Sequence, residues 1–105
     1  MPLVAVHLLK WVHFRQDVEG LDLELRYFRD VDGREVDFVV TDRRKPVLMV
    51  ECKLADVAVD PGVRYLKGKF PGCAAWQIHA EGSKDYQTLE GVRVAPAVRL
   101  LETLV

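Results

Sequence analysis

Asp37, Glu51 and Lys53 are the residues whose types and spacing can do chemistry. Asp37 lies in Val36-Asp37-Phe38-Val39-Val40, and the other two lie in Met49-Val50-Glu51-Cys52-Lys53. Both runs are otherwise apolar, and charges inside such runs are costly to bury unless something compensates them. If the runs are neighbouring strands, alternation gives Glu35, Asp37 and Val39 one face, and Glu51 and Lys53 one face of the next strand. Two carboxylates brought together repel unless a cation sits between them. A hard divalent ion such as Mg²⁺ takes oxygen ligands and keeps several waters, so two carboxylates and a backbone carbonyl suffice to hold it. A lysine two residues on reaches the same cavity, where it positions an attacking water or stabilises charge developing on a phosphate. The tripeptide Glu-x-Lys is no signal by itself, being far more often a structural ion pair at a strand end. Its weight here comes from closing a buried strand just after a hairpin whose other arm carries an aspartate.

The elements that must position these residues are legible along the chain. Residues 3–15 carry Val4, Leu8, Trp11 and Val12 at helical spacing, and Val18-Glu19-Gly20 breaks the pattern. Residues 22–30 alternate as a strand, with Leu23, Leu25 and Tyr27 on one side. Asp32-Gly33 predicts a two-residue hairpin turn, because both residues tolerate positive φ. A second strand over 34–41, a turn at Asp42 to Pro46 and a third strand over 47–53 complete a meander. Asp60-Pro61 opens a helix, with Asp as cap and Pro in the first turn, and Pro71-Gly72 closes it. A fourth strand over 73–79, a polar loop over 81–87, a short strand over 92–94 and a helix from Pro96 follow. Hairpins make the first three strands antiparallel, and the intervening helix makes the third and fourth parallel. The expected fold is α/β: a helix, a three-strand meander, a crossover helix, a parallel strand and a C-terminal helix, all in one domain.

Composition narrows the function classes. The 105 residues suit one core, half of them are apolar, and the formal net charge is −1. Overall charge therefore gives no general affinity for nucleic acid, and any such contact is local. No apolar run approaches the length of a membrane span, and the N-terminus lacks the features of a signal peptide, which points to the cytoplasm. Cys52 and Cys73 lack metal-ligand spacing and read as reduced core thiols. Arg43-Arg44-Lys45 and the Arg64, Lys67, Lys69 helix face are the basic clusters, and both read as solvated surface before phosphate contacts. His7 and His13 do not have ligand spacing. Trp11, Trp76, Phe14 and Phe70 read as core or interface.

Asp37 followed by Glu51-Cys52-Lys53 resembles the D…(D/E)xK pattern of the PD-(D/E)xK superfamily of restriction-endonuclease-like nucleases. More narrowly, His7 to Trp11, Leu25 to Asp30, Gly33 to Val40 and Val50 to Lys53 resemble the nuclease-like C-terminal domain found behind AAA-type ATPase domains, over about residues 3–100. That resemblance implies Asp37 and Glu51 as ligands of Mg²⁺ or Mn²⁺, Cys52 as a ligand through its carbonyl, and Lys53 as a catalytic assistant. It leaves Glu35 as a possible extra ligand and places Gln77 and His79 beside the cleft or at a polar strand end. Val36 stands where the motif's proline would be, and the first helix has no acidic residue before Asp17. Without a GxxxxGK[ST] loop the chain does not bind ATP in the P-loop manner. It reads as a stand-alone form or remnant of a longer ATPase.

The expected function is metal-dependent hydrolysis of DNA, and the alternative is a catalytically silent module of the same fold for protein interaction or DNA docking. The first helix carries Leu3, Val4, Val6, Leu8, Leu9, Trp11, Val12 and Phe14, more apolar circumference than one core stripe needs. A homo-oligomer formed through that helix is the expected remedy, the rival being cover by Val98, Leu101 and Leu104 of the last helix.

Overall fold

The computed structural model describes residues 2–104. In chain order the elements are α1 (Pro2–Glu19), β1 (Leu23–Arg29), β2 (Glu35–Asp42), β3 (Lys45–Lys53), α2 (Pro61–Lys69), β4 (Ala74–His79), β5 (Tyr86–Gln87), β6 (Val92–Pro96) and α3 (Ala97–Thr103). One six-stranded sheet runs in the order β1-β2-β3-β4-β6-β5. The meander β1-β2-β3 is antiparallel, while β3-β4 and β4-β6 are parallel.

Helices cover both faces of the sheet. Under α2, Val63 and Leu66 pack on Val36, Val39, Met49, Ala75 and Val94. On the other face, Val4, Leu8 and Val12 of α1 and Leu100 of α3 pack on Val40, Leu48, Val50 and Ile78. The central strands β3 and β4 are therefore apolar on both faces, as a covered parallel ladder requires.

Local chemistry explains most boundaries, including those that differ from the sequence reading. The first helix runs four residues past Arg15, since Arg15 pairs with Glu19 at 2.9 Å and Gly20, at φ +65°, supplies the left-handed residue that ends it. The β1–β2 connection is not the expected two-residue turn. Asp30 accepts from the Gly33 N–H at 3.2 Å and donates to the Arg34 carbonyl at 3.0 Å, with positive φ at Gly33 and not at Asp32. This is the three-residue hairpin loop that ends in a glycine bulge. The two-residue turn lies instead between β2 and β3, at Arg43 and Arg44, with φ of 51° and 71°. That tight turn starts β3 at Lys45, ahead of the expected Val47. The loop expected over 81–87 contributes a two-residue edge strand, β5, paired antiparallel to β6.

One irregularity bears directly on the site. Between the Arg26–Val39 and Phe28–Val36 pairs, β1 has one residue, Tyr27, and β2 has two, Asp37 and Phe38. Through this bulge Val36 and Val39 share the α2 cluster although they are three residues apart, while Phe38 packs with the opposite cluster. The strict alternation that would put Glu35, Asp37 and Val39 on one face does not hold.

Candidate functional site: a carboxylate pair at the shared end of two strands

Beyond the bulge, Phe38 opposes Val50, so Asp37 and Glu51 come to the same end of the β2–β3 ladder. They interlock through the backbone. The Asp37 N–H donates to Glu51 Oε1 at 3.0 Å, and the Cys52 N–H donates to Asp37 Oδ2 at 3.0 Å. Asp37 is exposed and Glu51 is buried, so one carboxylate faces solvent while the other is shielded from it. Burial holds the Glu51 carboxyl above its ordinary value. The Asp37 charge adds to that, while hydrogen bonds from the Asp37 N–H and from Lys53 oppose it.

Lys53 is held between two acids, with Nζ 3.2 Å from Glu51 Oε2 and 2.7 Å from Asp60 Oδ2. Burial alone would lower its pKa. The bonds to Asp60 and Glu51 outweigh that and raise it, so the amine stays charged. Asp60 is the member of the site that sequence reasoning assigned only to helix capping. Its Oδ1 caps α2 by accepting from the Gly62 N–H at 2.9 Å while its Oδ2 takes the lysine. No linear motif joins residues 53 and 60; their meeting depends on where the loop between them turns.

Gln77 fixes that turn. The parallel register sets it beside Glu51, wholly buried. Its Oε1 accepts from the Asp60 N–H at 2.8 Å, and its Nε2 donates to the carbonyls of Val57 at 3.1 Å and Ala58 at 3.0 Å. Gln77 is thus a buried support under the loop that delivers Asp60. His79, also buried, bonds through Nε2 to the Lys84 carbonyl at 2.9 Å and so ties down the loop after β4. Asp56 braces the same loop by accepting from the Ser83 and Lys84 N–H groups at 3.2 and 3.3 Å.

Glu35 is not drawn into this group. It is exposed, and its Oε1 lies 3.4 Å from Arg29 Nε. Cys52, half-buried rather than in the core, has its thiol pushed up to about 11 by burial first and by the Asp37 and Glu51 charges, so its sulfur stays protonated. Only its main chain can serve a hard cation. Cys73 is the buried core thiol that the sequence suggested.

Asp37, Cys52, Lys53, Leu54 and Ala80 line an open depression of about 270 Å³ at this end of the sheet. Among the described residues, no three or more His, Cys, Asp or Glu side chains converge as a complete metal cage. The donor set is two carboxylates and a main-chain carbonyl, which fits an ion that keeps most of its waters. The raised pKa of Glu51 fits as well, because a buried carboxylate next to another gains most from a nearby cation.

A family model described as "Domain of unknown function (DUF4143)" matches residues 3–100, and the chain belongs to that family. No match to the chain is found among the curated proteins or among the solved structures.

Proposed function

We propose that this DUF4143 domain is a metal-dependent phosphodiester hydrolase acting on DNA, on the PD-(D/E)xK plan that its motifs resemble, from the lineage of C-terminal domains that accompany AAA-type ATPases. The observation that carries the reading is the reciprocal clasp of Asp37 and Glu51, with the charged amine of Lys53 against Glu51. Bulges such as the one at Asp37 recur beside active sites, where they re-aim a side chain.

Asp37, Glu51 and the Cys52 carbonyl are the groups that would hold Mg²⁺ or Mn²⁺. The ion would supply charge neutralisation at a bound phosphate. Asp37 meets solvent and substrate first, with its second oxygen to offer, and the Cys52 N–H fixes its orientation. Lys53 presents a proton-bearing cation whose place is set from behind by Asp60. The domain associates with a second copy through the apolar outer face of α1.

The test is cleavage of supercoiled plasmid and of single-stranded DNA with Mg²⁺ and with Mn²⁺, wild type beside Asp37→Ala. The expected loss in the variant is roughly 100-fold or more. Equal cleavage by both proteins would remove Asp37 from the reaction.

A second reading has its own support. Lys53 is engaged by two acids, and one oxygen of each carboxylate is spent on a strand N–H. These contacts suit a structural clasp in a silent module for protein interaction or DNA docking. Absence of cleavage by the wild type with either ion would favour it.

A further inference from the structure

A second surface lies around the start of β3, where Pro46 is five residues and roughly 16 Å from Glu51 at about 3.3 Å per residue. It extends along β1 to Tyr27, opposite the Asp37–Phe38 bulge. Between the edge strand β1 and the last turn of α2 runs a groove of about 330 Å³. Its floor is apolar, from Val39, Leu66 and Phe70, and Arg26, Arg44 and Lys69 stand around it. Arg26 pairs with Glu24. Arg44 and Lys69 are exposed and make no ion pair with the described residues, although the chain as a whole is slightly acidic. Tyr27, 59% exposed on the edge strand, offers a free ring beside these cations.

The turn that presents Arg44 adds an independent observation. Arg43 and Arg44 both occupy the left-handed region, which a hairpin turn normally fills with Asn-Gly. A left-handed side-chain-bearing residue costs about 1 kcal/mol or more. Two successive arginines there set cations at a strained tip, where the fold alone would favour smaller residues.

We infer that this groove binds single-stranded nucleic acid, with Arg44 and Lys69 on backbone phosphates and a base stacked on Tyr27. An acidic peptide would match the cations and leave the ring unused, and a duplex would hide the base faces from it. The inference is separate from the hydrolase reading, since binding here needs neither the carboxylates nor a metal.

The test is fluorescence anisotropy of a labelled oligothymidine over a series of salt concentrations, in EDTA so that hydrolysis plays no part. Wild type binds with a clear salt slope. Arg44→Asn with Lys69→Gln weakens binding roughly tenfold and flattens the slope of log affinity against log salt by about 1.4, at about 0.7 per phosphate contact. Asparagine tolerates left-handed φ, so this variant should melt no lower than wild type. If it does melt lower, Lys69→Gln alone, at an exposed position, carries the measurement. Tyr27→Ala weakens binding without altering the slope, and Lys10→Glu, on exposed α1, changes neither by more than error. The idea is overturned by no binding at low salt, by equal weakening in Lys10→Glu, by equal affinity for duplex, or by polyglutamate competing as well as the oligonucleotide.

Discussion

Glu51 is the residue whose ionisation most affects the site, because it alone of the two carboxylates is buried. Its folded carboxyl keeps a proton to higher pH than the unfolded one, whose ordinary value is 4.5. Above that value the native state therefore binds more protons than the unfolded state, and stability falls as pH rises through that window. Thermal melts without divalent ions should show Glu51→Gln gaining on wild type as pH rises above 4.5, until the folded carboxyl has ionised. Millimolar Mg²⁺ or Mn²⁺ should recover the wild-type loss by mass action and leave Asp37→Ala unmoved. A flat difference between the proteins, or the same response in Asp37→Ala, would count against a cation site. Gln77 makes a sharper prediction about the support beneath it. Gln77→Leu strands the Asp60 N–H and the carbonyls of Val57 and Ala58, at about 1–3 kcal/mol for each group left dry. Partial rehydration brings the expected loss to roughly 2–4 kcal/mol in urea unfolding. A loss below that range would mean the loop holds itself without the amide.

At the scale of elements, what the sequence disclosed and what it hid separate by the range of the interactions involved. The Asp60-Pro61 helix start, the existence of the strands and the pairing of β2 with β3 rest on neighbours a few residues apart, and all are present, although alternation breaks at the bulge. The union of Asp37 with Glu51 at one strand end follows from those pairings. The bulge at Asp37-Phe38 does not, because it depends on β1 having one residue where β2 has two. Asp60 reaching Lys53, and Glu35 leaving for Arg29, likewise depend on side-chain directions set by distant packing. Gly62 shows how tightly α2 is seated. A Cβ there would be driven into the backbone carbonyl of Glu35, which cannot yield without moving β2. Gly62→Ala should therefore destabilise the domain by about 1–3 kcal/mol through overpacking, and should also weaken the Lys53–Asp60 pair by lifting the helix start. Unchanged stability in that variant would mean α2 sits farther from the sheet than its packing indicates.

For the whole molecule, α1 poses a problem of coverage. Its inward stripe, Val4, Leu8 and Val12, is fully buried, with Trp11 half-buried beside it. The far side is another matter: Leu3 is 61% exposed, Val6 48% and Leu9 45%, three apolar residues at successive spacings of three. The last helix does not cover them. α3 buries Leu100 and packs Ala97 and Leu104 against the same cluster, while Val98, expected to help cover α1, is itself exposed. Apolar residues so close together on one helix form a patch that a second copy can bury symmetrically, with each Leu9 near the two-fold axis. Light scattering over a concentration series should show wild type moving from monomer to dimer. Leu9→Glu should remain monomeric with its melting temperature at low concentration unchanged, because Leu9 makes no core contact. A wild type that stays monomeric throughout, or a Leu9→Glu variant that still dimerises, would place any self-association elsewhere and leave the outer face of α1 without a role in it.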